Sequence, residues 1–512
     1  MSEARRVRIQ DAEPNANPTR SDEARPTDRR RWPAFIVPLI YAMLLSPIAA
    51  RDVLNAHGRA SFDQVLFHEH TIDAIARTWP LFTLTSAEKT TPDHYVAMTP
   101  GFHWVLAGVA RLTGVGDSGL RLVALGMSAG IFSLLGYLLG RRCGAACGAL
   151  LIAPMMASVY IMNSGAWLLA DNAGWMWVGL LGIAAVFCRP SPGWALLMGV
   201  GLLLAVWTRQ NLLFLAMPLW AAAWLRSSPE GPTSFNPLVS VPTRVKNLLP
   251  MAVATLPAIA SLIYLYSIWG GLVPYEFQGQ YNGAGPSNLA LQLVMLAGLG
   301  VFFLPILLGV GEAGWRERVS PKLRQAVPWM LLAALLAGGV AVVVPTTPDP
   351  KAGRAGLIWS IAQTVNPIGS IGHCNPIVVL GAMAGGVTLV IILAMAPPRR
   401  RWILAALFTG FGIAQAASSE VWQRYHEPFA MLFLALATSV AVAHRAPGWR
   451  RPPLPQLGMI SVLALGLAVT SAVVLWTREV NPWRQGASRT PTAPMLPEPP
   501  SEPPDRGVNP SE

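Results

Sequence analysis

The sequence predicts an all-α protein, a polytopic transmembrane bundle of about 13 spans with a long first outer loop that holds short surface helices. Three observations predict it. Of 512 residues 53% are hydrophobic and only 12% are charged, where a soluble domain carries about 25%. The charges gather at the termini: residues 1–31 hold 8 Arg and 6 acids, and residues 478–512 hold 4 Arg and 5 acids. The body, 32–477, keeps 41 charges in 446 residues and reads as apolar runs separated by short polar, Pro- or Gly-rich turns.

In chain order, residues 1–31 are too polar to bury a core and are expected to form a disordered cytoplasmic tail. Spans are expected at about 33–50, 119–140, 145–162, 172–188, 193–207, 212–225, 248–269, 288–310, 326–344, 376–396, 402–417, 427–443 and 456–476. Short cytoplasmic loops collect Lys and Arg, and this register places Arg141–Arg142, Arg189, the 226–247 and 311–325 loops, Arg399–Arg401 and the 444–455 loop on one side, with a cytoplasmic N-terminus. The acids are independent of this register, and 12 of the 15 in the body fall on the other side or at its membrane boundary, with seven of the eight histidines also on that side. Phe102–Leu112 is apolar but short and follows Pro100–Gly101, so it is expected to lie along the outer surface or re-enter it. Residues 478–512 are Pro-, Ser- and Glu-rich and are expected to be a disordered outer tail. Cys143, Cys147, Cys188 and Cys374 show no metal-ligand spacing. The net charge of +12 does not indicate nucleic acid, because the arginines mark topology.

Polar chemistry is therefore sought on the outer face, above all in the loop 51–118. Asp63 suits a general base close to the bilayer, with Glu69 and His68 a second acid–base pair, or it is a solvated loop charge. His68-Glu69-His70 matches no standard zinc spacing. Asp171 lies between two apolar runs, where a carboxylate is costly unless used or paired; the alternative is a cap for the helix starting at Asn172. Arg209-Gln210-Asn211 and Arg424-Tyr425 sit on the side where Arg is least expected. Their guanidinium forks suit a phosphate or diphosphate, or they pair with Asp171 and Glu420 respectively. Glu276 and Tyr281, among the aromatics and amides of loop 270–287, fit a sugar face or an interfacial aromatic belt.

This order of residues resembles the GT-C class of integral-membrane glycosyltransferases, and within it the dolichyl-phosphate-glucose α-1,2-glucosyltransferase family, of which the chain would be a bacterial homologue. The segments that carry the resemblance are Phe62-Asp63-Gln64 to Phe67-His68, Met98-Thr99-Pro100-Gly101, Leu169 to Gly174, Arg209-Gln210-Asn211, Trp269 to Val273 and Gln423-Arg424-Tyr425. Three departures stand out: Gln64 where the family has a second acid, one residue inserted before His68, and no Thr between Gln210 and Asn211. The resemblance implies a polyprenyl-phosphate sugar donor and a glycan or lipid acceptor, with the active site at the periplasmic face of the inner membrane. It implies that Asp63 is the general base, that Asp171 is a supporting acid near the acceptor or donor, and that Arg209 and Arg424 bind the donor phosphate. Beside these, Gln210 and Asn211 are expected at the phosphate, and Glu276, Tyr281 and Tyr425 are expected to touch sugar. Displacement is inverting. No cofactor is expected, a divalent metal being left open. The rival readings are a lipid-linked oligosaccharide flippase or other transporter, and an O-antigen polymerase or ligase. A transporter usually shows an internal repeat, and none is visible here; an O-antigen enzyme would carry its largest outer loop late in the chain, whereas here the first is largest.

Overall fold

The computed structural model describes residues 32–48, 67–80, 96–226, 241–275, 277–278, 283–312, 314–347, 349, 354, 356–365, 373–445 and 454–477. The two tails assigned from composition lie outside these. Among the described residues the protein is all α, and the only β feature is an isolated bridge between Asp349 and Arg354.

All thirteen expected segments fall on helices. They are α1 (Trp32–Ile48), α4 (Asp117–Cys143), the broken pair α5 (Ala145–Ala157) and α6 (Val159–Ala166), α7 (Asp171–Phe187), α8 (Pro192–Thr208), and a 3-10 turn Gln210–Leu215 running into α9 (Ala216–Trp224). They continue with α10 (Val241–Trp269), α11 (Ser287–Leu308) and α12 (Trp315–Val343), followed beyond a short α13 (Leu357–Gln363) by α14 (Pro376–Met395), α15 (Pro398–Ala416), α16 (Gln423–Ala443) and α17 (Leu454–Thr477). Seven of these, α4, α10, α11, α12, α14, α16 and α17, are long and apolar enough to cross a membrane, or eight if α5 and α6 form one bent span. The others fall short for visible reasons: α7 and α8 have 17 residues each, α9 has 9, and α15 opens on Arg399–Arg401. A full crossing takes about 20 apolar residues.

Two departures from the expected boundaries have local causes. The segment expected as one span at 145–162 bends by 75° between α5 and α6. Ser158 there is extended, and its hydroxyl caps α6 by accepting from Tyr160 N, while Pro154 removes one backbone donor from the last turn of α5. Both α10 and α12 begin earlier than expected and run into the basic loops, because Arg and Lys are good helix formers whose charge breaks a hydropathy run but not a helix.

The central helix is α16. Its apolar stretch is 89% buried, against 22% for α10, α12 and α17 on the periphery. Phe429 stacks on Phe411 of α15 at 3.7 Å, and Phe433 meets Phe408 at 5.2 Å, so aromatic pairs fasten α15 to the centre. Glycines let other helices touch backbone to backbone. A Cβ on Gly385 of α14 would lie 2.0 Å from Leu293 O of α11, and one on Gly386 would lie 2.6 Å from Ala333 O of α12, so adjacent residues serve two opposite contacts. Gly385→Ala is expected to cost about 1–3 kcal/mol of stability as overpacking, seen as a lower thermal unfolding midpoint in detergent. Gly298→Ala, which meets nothing within 4 Å, serves as the neutral control.

The described residues between α1 and α4 build a second, smaller core. Within it α2 (Glu69–Thr78) and α3 (Gly101–Thr113) pack Ile72, Ile75, Phe102 and Leu106 against Leu120 and Leu168. The Phe102–Leu112 segment is thus a helix lodged in this extra layer, and its buried residues belong to that core rather than to the main one. It ends at Gly114, whose φ of +71° needs glycine. At its start, Gly101 lies against the Trp207 carbonyl, which seats the layer on the end of α8.

Candidate functional site

The ends of α7, α8, α15 and α16 meet at one end of the bundle. Leu168 (φ +57°), a non-glycine in the left-handed region, turns the chain into α7. Ser164 holds this turn, donating to Leu169 O at 3.0 Å and accepting from Asn172 N at 3.0 Å, so Asp171 is presented from the first turn of α7. After α8 the backbone becomes extended at Arg209 (φ −155°, ψ 124°), which swings its side chain across Gly174 of α7. A Cβ at Gly174 would lie 3.3 Å from Arg209 Cδ, so glycine there admits the arginine.

Arg209 Nη1 donates to Asp171 Oδ1, the pairing that the sequence left as an alternative. The side chains are 14% and 13% exposed, so the ion pair is largely desolvated. Arg209 Nη2 also donates to Tyr425 Oη at 3.1 Å, and Arg424 Nη2 donates to the same oxygen at 2.8 Å. Both guanidinium groups lie over the Tyr425 ring, at 4.8 and 4.9 Å from its centroid, and Arg424 stacks on Trp422 at 3.8 Å. Tyr425 therefore holds two cations side by side that would otherwise repel, with Asp171 neutralising one. The group formed by Asp171, Arg209, Arg424 and Tyr425 carries a net positive charge next to open space.

That space is a cavity of about 800 Å³. At its polar end are Arg209, Gln210, Asn211, Gln415, Arg424 and Tyr425; from there it runs between α9, α10 and α15 along Met217, Trp220, Ile259, Leu262 and Ile413. Ile413 is 58% and Trp220 37% exposed, so the apolar walls face outward from the side of the bundle. A smaller annex lined by Asp171, Gly174, Trp175, Arg209 and Tyr425 continues inward.

The other expected site residues are placed as follows. Asn211 lines both spaces, and its Oδ1 is buried with no hydrogen-bond partner among the described residues. Gln210 also lines the cavity, but its amide is occupied by backbone: Nε2 donates to Ala97 O (2.8 Å) and Leu272 O (3.1 Å), and Oε1 accepts from Thr99 N (3.3 Å). It ties the 96–99 segment and the 270–275 turn to the end of α8. Gln210→Ala is expected to loosen this layer by about 1–3 kcal/mol, read as faster backbone hydrogen exchange over 96–99 with little change in global unfolding. His68 is buried against His103, with Nδ1 and Nε2 2.7 Å apart and the rings stacked at 5.0 Å. At that distance one nitrogen donates and the other accepts, so the pair shares a single proton between the facing atoms. Glu69 opens α2 as its first-turn acid. Asp63, Glu276 and Tyr281 lie outside the described residues. Among the described residues no group of three His, Cys, Asp or Glu could hold a metal ion.

Some participants had no signal that patterning could read. Trp422 and Gln415 read as an interfacial aromatic and a helix-end amide until folding brings them to the arginines. Glu427, one helical turn beyond Gln423, is buried with Oε1 accepting from Ser158 Oγ (2.7 Å) and Oε2 from Gln423 Nε2 (2.9 Å). Asn288 of α11 braces the same end, donating to the carbonyls of Gln415, Ser418 and Glu420 and meeting His426 Nε2 at 2.7 Å.

No family model and no curated protein matches the chain. Among solved structures, the chain is similar to the oligosaccharyltransferase AglB of Archaeoglobus fulgidus in complex with an inhibitory peptide and a dolichol-phosphate, at 13% identity and a TM-score of 0.40. The match covers 86% of this chain and 55% of that one, so the chain spans about half the length of the archaeal protein. It is also similar to ArnT of Cupriavidus metallidurans, at 13% identity in both of two states. In the apo state the match covers 80% of this chain and 78% of that one with a TM-score of 0.31; with undecaprenyl phosphate bound it covers 86% and 90% with a TM-score of 0.32.

Proposed function

We propose that the protein is a membrane glycosyltransferase that moves a sugar from a polyprenyl-phosphate donor to a glycan or lipid-linked acceptor. The observation that carries this reading is the shape and polarity of the cavity: an apolar trough facing sideways from the bundle, closed at its polar end by two guanidinium groups. A polyprenyl chain matches the apolar walls and a phosphate matches the paired forks. A lipid-linked donor cannot leave the bilayer, so a trough open to the side is the entry it requires.

In this reading the donor phosphate sits at Arg209 and Arg424, the isoprenoid lies along Met217, Ile259 and Ile413, and the sugar extends past Asn211. Asn211 Oδ1, a buried acceptor with no partner among the described residues, suits a sugar hydroxyl. The acceptor oxygen attacks the anomeric carbon from the face opposite the phosphate as Asp63 takes its proton. The bond from that carbon to the phosphate oxygen breaks, and the charge that collects on the departing polyprenyl phosphate is met by the two arginines. Glu69 and His68 support the acid–base chemistry from the outer layer, and Glu276 and Tyr281 contact sugar. In this reading the basic end of the bundle faces the cytoplasm and the cavity end faces the periplasm, an orientation that the charge asymmetry supports.

The test is direct. Membranes containing the protein are given a polyprenyl-phosphate sugar radiolabelled in the sugar, with a candidate acceptor. Acceptor-dependent transfer of label with release of polyprenyl phosphate supports the reading, whereas movement of intact donor between leaflets without cleavage would replace it with transport.

A further inference from the structure

At the opposite end of the bundle lies a second cavity that the proposed reaction does not use. Helix α16 runs about 30 Å from Tyr425 beside the first cavity to Ala443, and just past that end His444 and Arg445 enter the second, of about 420 Å³. Its polar lining is Arg318, Lys322, His444, Arg445 and Glu312, and its apolar wall includes Leu307, Val319 and Met395. Glu312 is fully engaged: Oε1 accepts from Arg445 and Oε2 from Arg318 Nη2 at 3.0 Å, with the carboxylate side chain 3% exposed and Arg445 9% exposed. Glycines around it shape the backbone that clamps that carboxylate. Gly309, Gly311 and Gly314 take φ of +70°, +85° and +66°, and a Cβ on Gly309 would lie 2.9 Å from Glu312 Oε2.

One acid thus fixes two arginines in place and leaves the lining with an excess of positive charge, because Lys322 is exposed on the first turns of α12 and faces the same space. Arg400, whose Nη1 lies 3.0 Å from His444 Nδ1, adds a further cation behind it. Glu317, close to Gly314, is the other described acid at this rim. We propose that this cavity binds a phosphate group, supplied by the head of an anionic membrane lipid. Arg445 also donates its Nη2 to the carbonyls of Ile306 and Leu307, so the Arg318 guanidinium and the Lys322 ammonium are the groups set to meet phosphate oxygens; basic pockets between transmembrane helices on the cytoplasmic side are where such headgroups dock, and the apolar wall beside them suits the start of an acyl chain.

Native mass spectrometry of the full chain in detergent tests this, with dioleoylphosphatidylglycerol as probe and dioleoylphosphatidylcholine as the net-neutral comparison. The anionic lipid is expected to be retained in preference. Lys322→Gln and Arg318→Gln are each expected to lower retention about fivefold, the change that ~1 kcal/mol per surface charge corresponds to, and Lys322→Arg to preserve it. Lys322 is exposed, so its variants keep the unfolding temperature of the parent. Millimolar inorganic phosphate decides the source: failure to displace the lipid supports a headgroup, and displacement that depends on Lys322 keeps the phosphate chemistry but assigns a soluble ligand. Equal retention of both lipids, or retention unchanged in Lys322→Gln, overturns the proposal.

Discussion

Replacing Arg424 with Gln is expected to lower sugar transfer by about 10²–10³-fold, the usual loss when one preorganised donor to a developing negative charge is removed, with little change in stability. Arg424 contributes its guanidinium to Tyr425 and Trp422 from the rim of the cavity. Arg209→Gln is expected to lower transfer by a similar factor and in addition to destabilise the fold. Its loss strands Asp171, 13% exposed, at the head of α7, and breaking one partner out of a buried pair costs about 3–5 kcal/mol. The two effects separate in a cycle. Adding Asp171→Asn to Arg209→Gln is expected to recover most of the unfolding temperature and none of the activity. Unfolding in detergent and release of polyprenyl phosphate are the two readouts. Unimpaired transfer by Arg424→Gln would remove the arginine pair from the reaction.

Asp63→Asn is expected to reduce transfer by about 10²–10⁴-fold, the usual contribution of a general base, with donor binding intact. Asp63→Glu, which keeps the carboxylate at a different reach, is expected to recover part of the rate. The described chain nearest to Asp63 in sequence meets a segment that borders the cavity. Phe67, four residues on, packs edge-to-face on Phe277 at 5.5 Å, and the Leu272 carbonyl earlier in that segment is bonded by Gln210 at the cavity wall. A normal rate in Asp63→Asn would assign the base elsewhere, with Glu69 the next candidate in the same loop.

The helices were legible because a membrane-crossing helix is announced locally, by length and apolarity within one segment. Even a segment shorter than a crossing, such as α9, came within a few residues of its observed position, and the Phe102–Leu112 helix showed itself as apolar but too short. What hydropathy misread was backbone detail inside apolar sequence: the bend at Ser158 and the 3-10 turn at Gln210–Leu215 depend on capping and turn geometry that carry no hydropathy signal. Arg209, Asp171 and Arg424 stood out by being charged where charge is expensive. Their function as one group did not, since Asp171 and Arg209 are 38 residues apart and Arg209 and Tyr425 are 216 apart.

By itself the sequence determined a polytopic all-α chain, the end of it that collects arginine, and the few charged residues that break that rule. Those are properties of single segments in contact with lipid or water, so composition and order suffice. Only the tertiary structure decided that Arg209 is both paired with Asp171 and shared with Tyr425, that Gln210 is a backbone clasp, and that α9, α10 and α15 leave a trough facing sideways. A cavity is the place where helices fail to touch. Its existence depends on packing across the bundle, on glycines that allow backbone contact in one place and on exposed Ile413 and Trp220 in another, and no single segment encodes it.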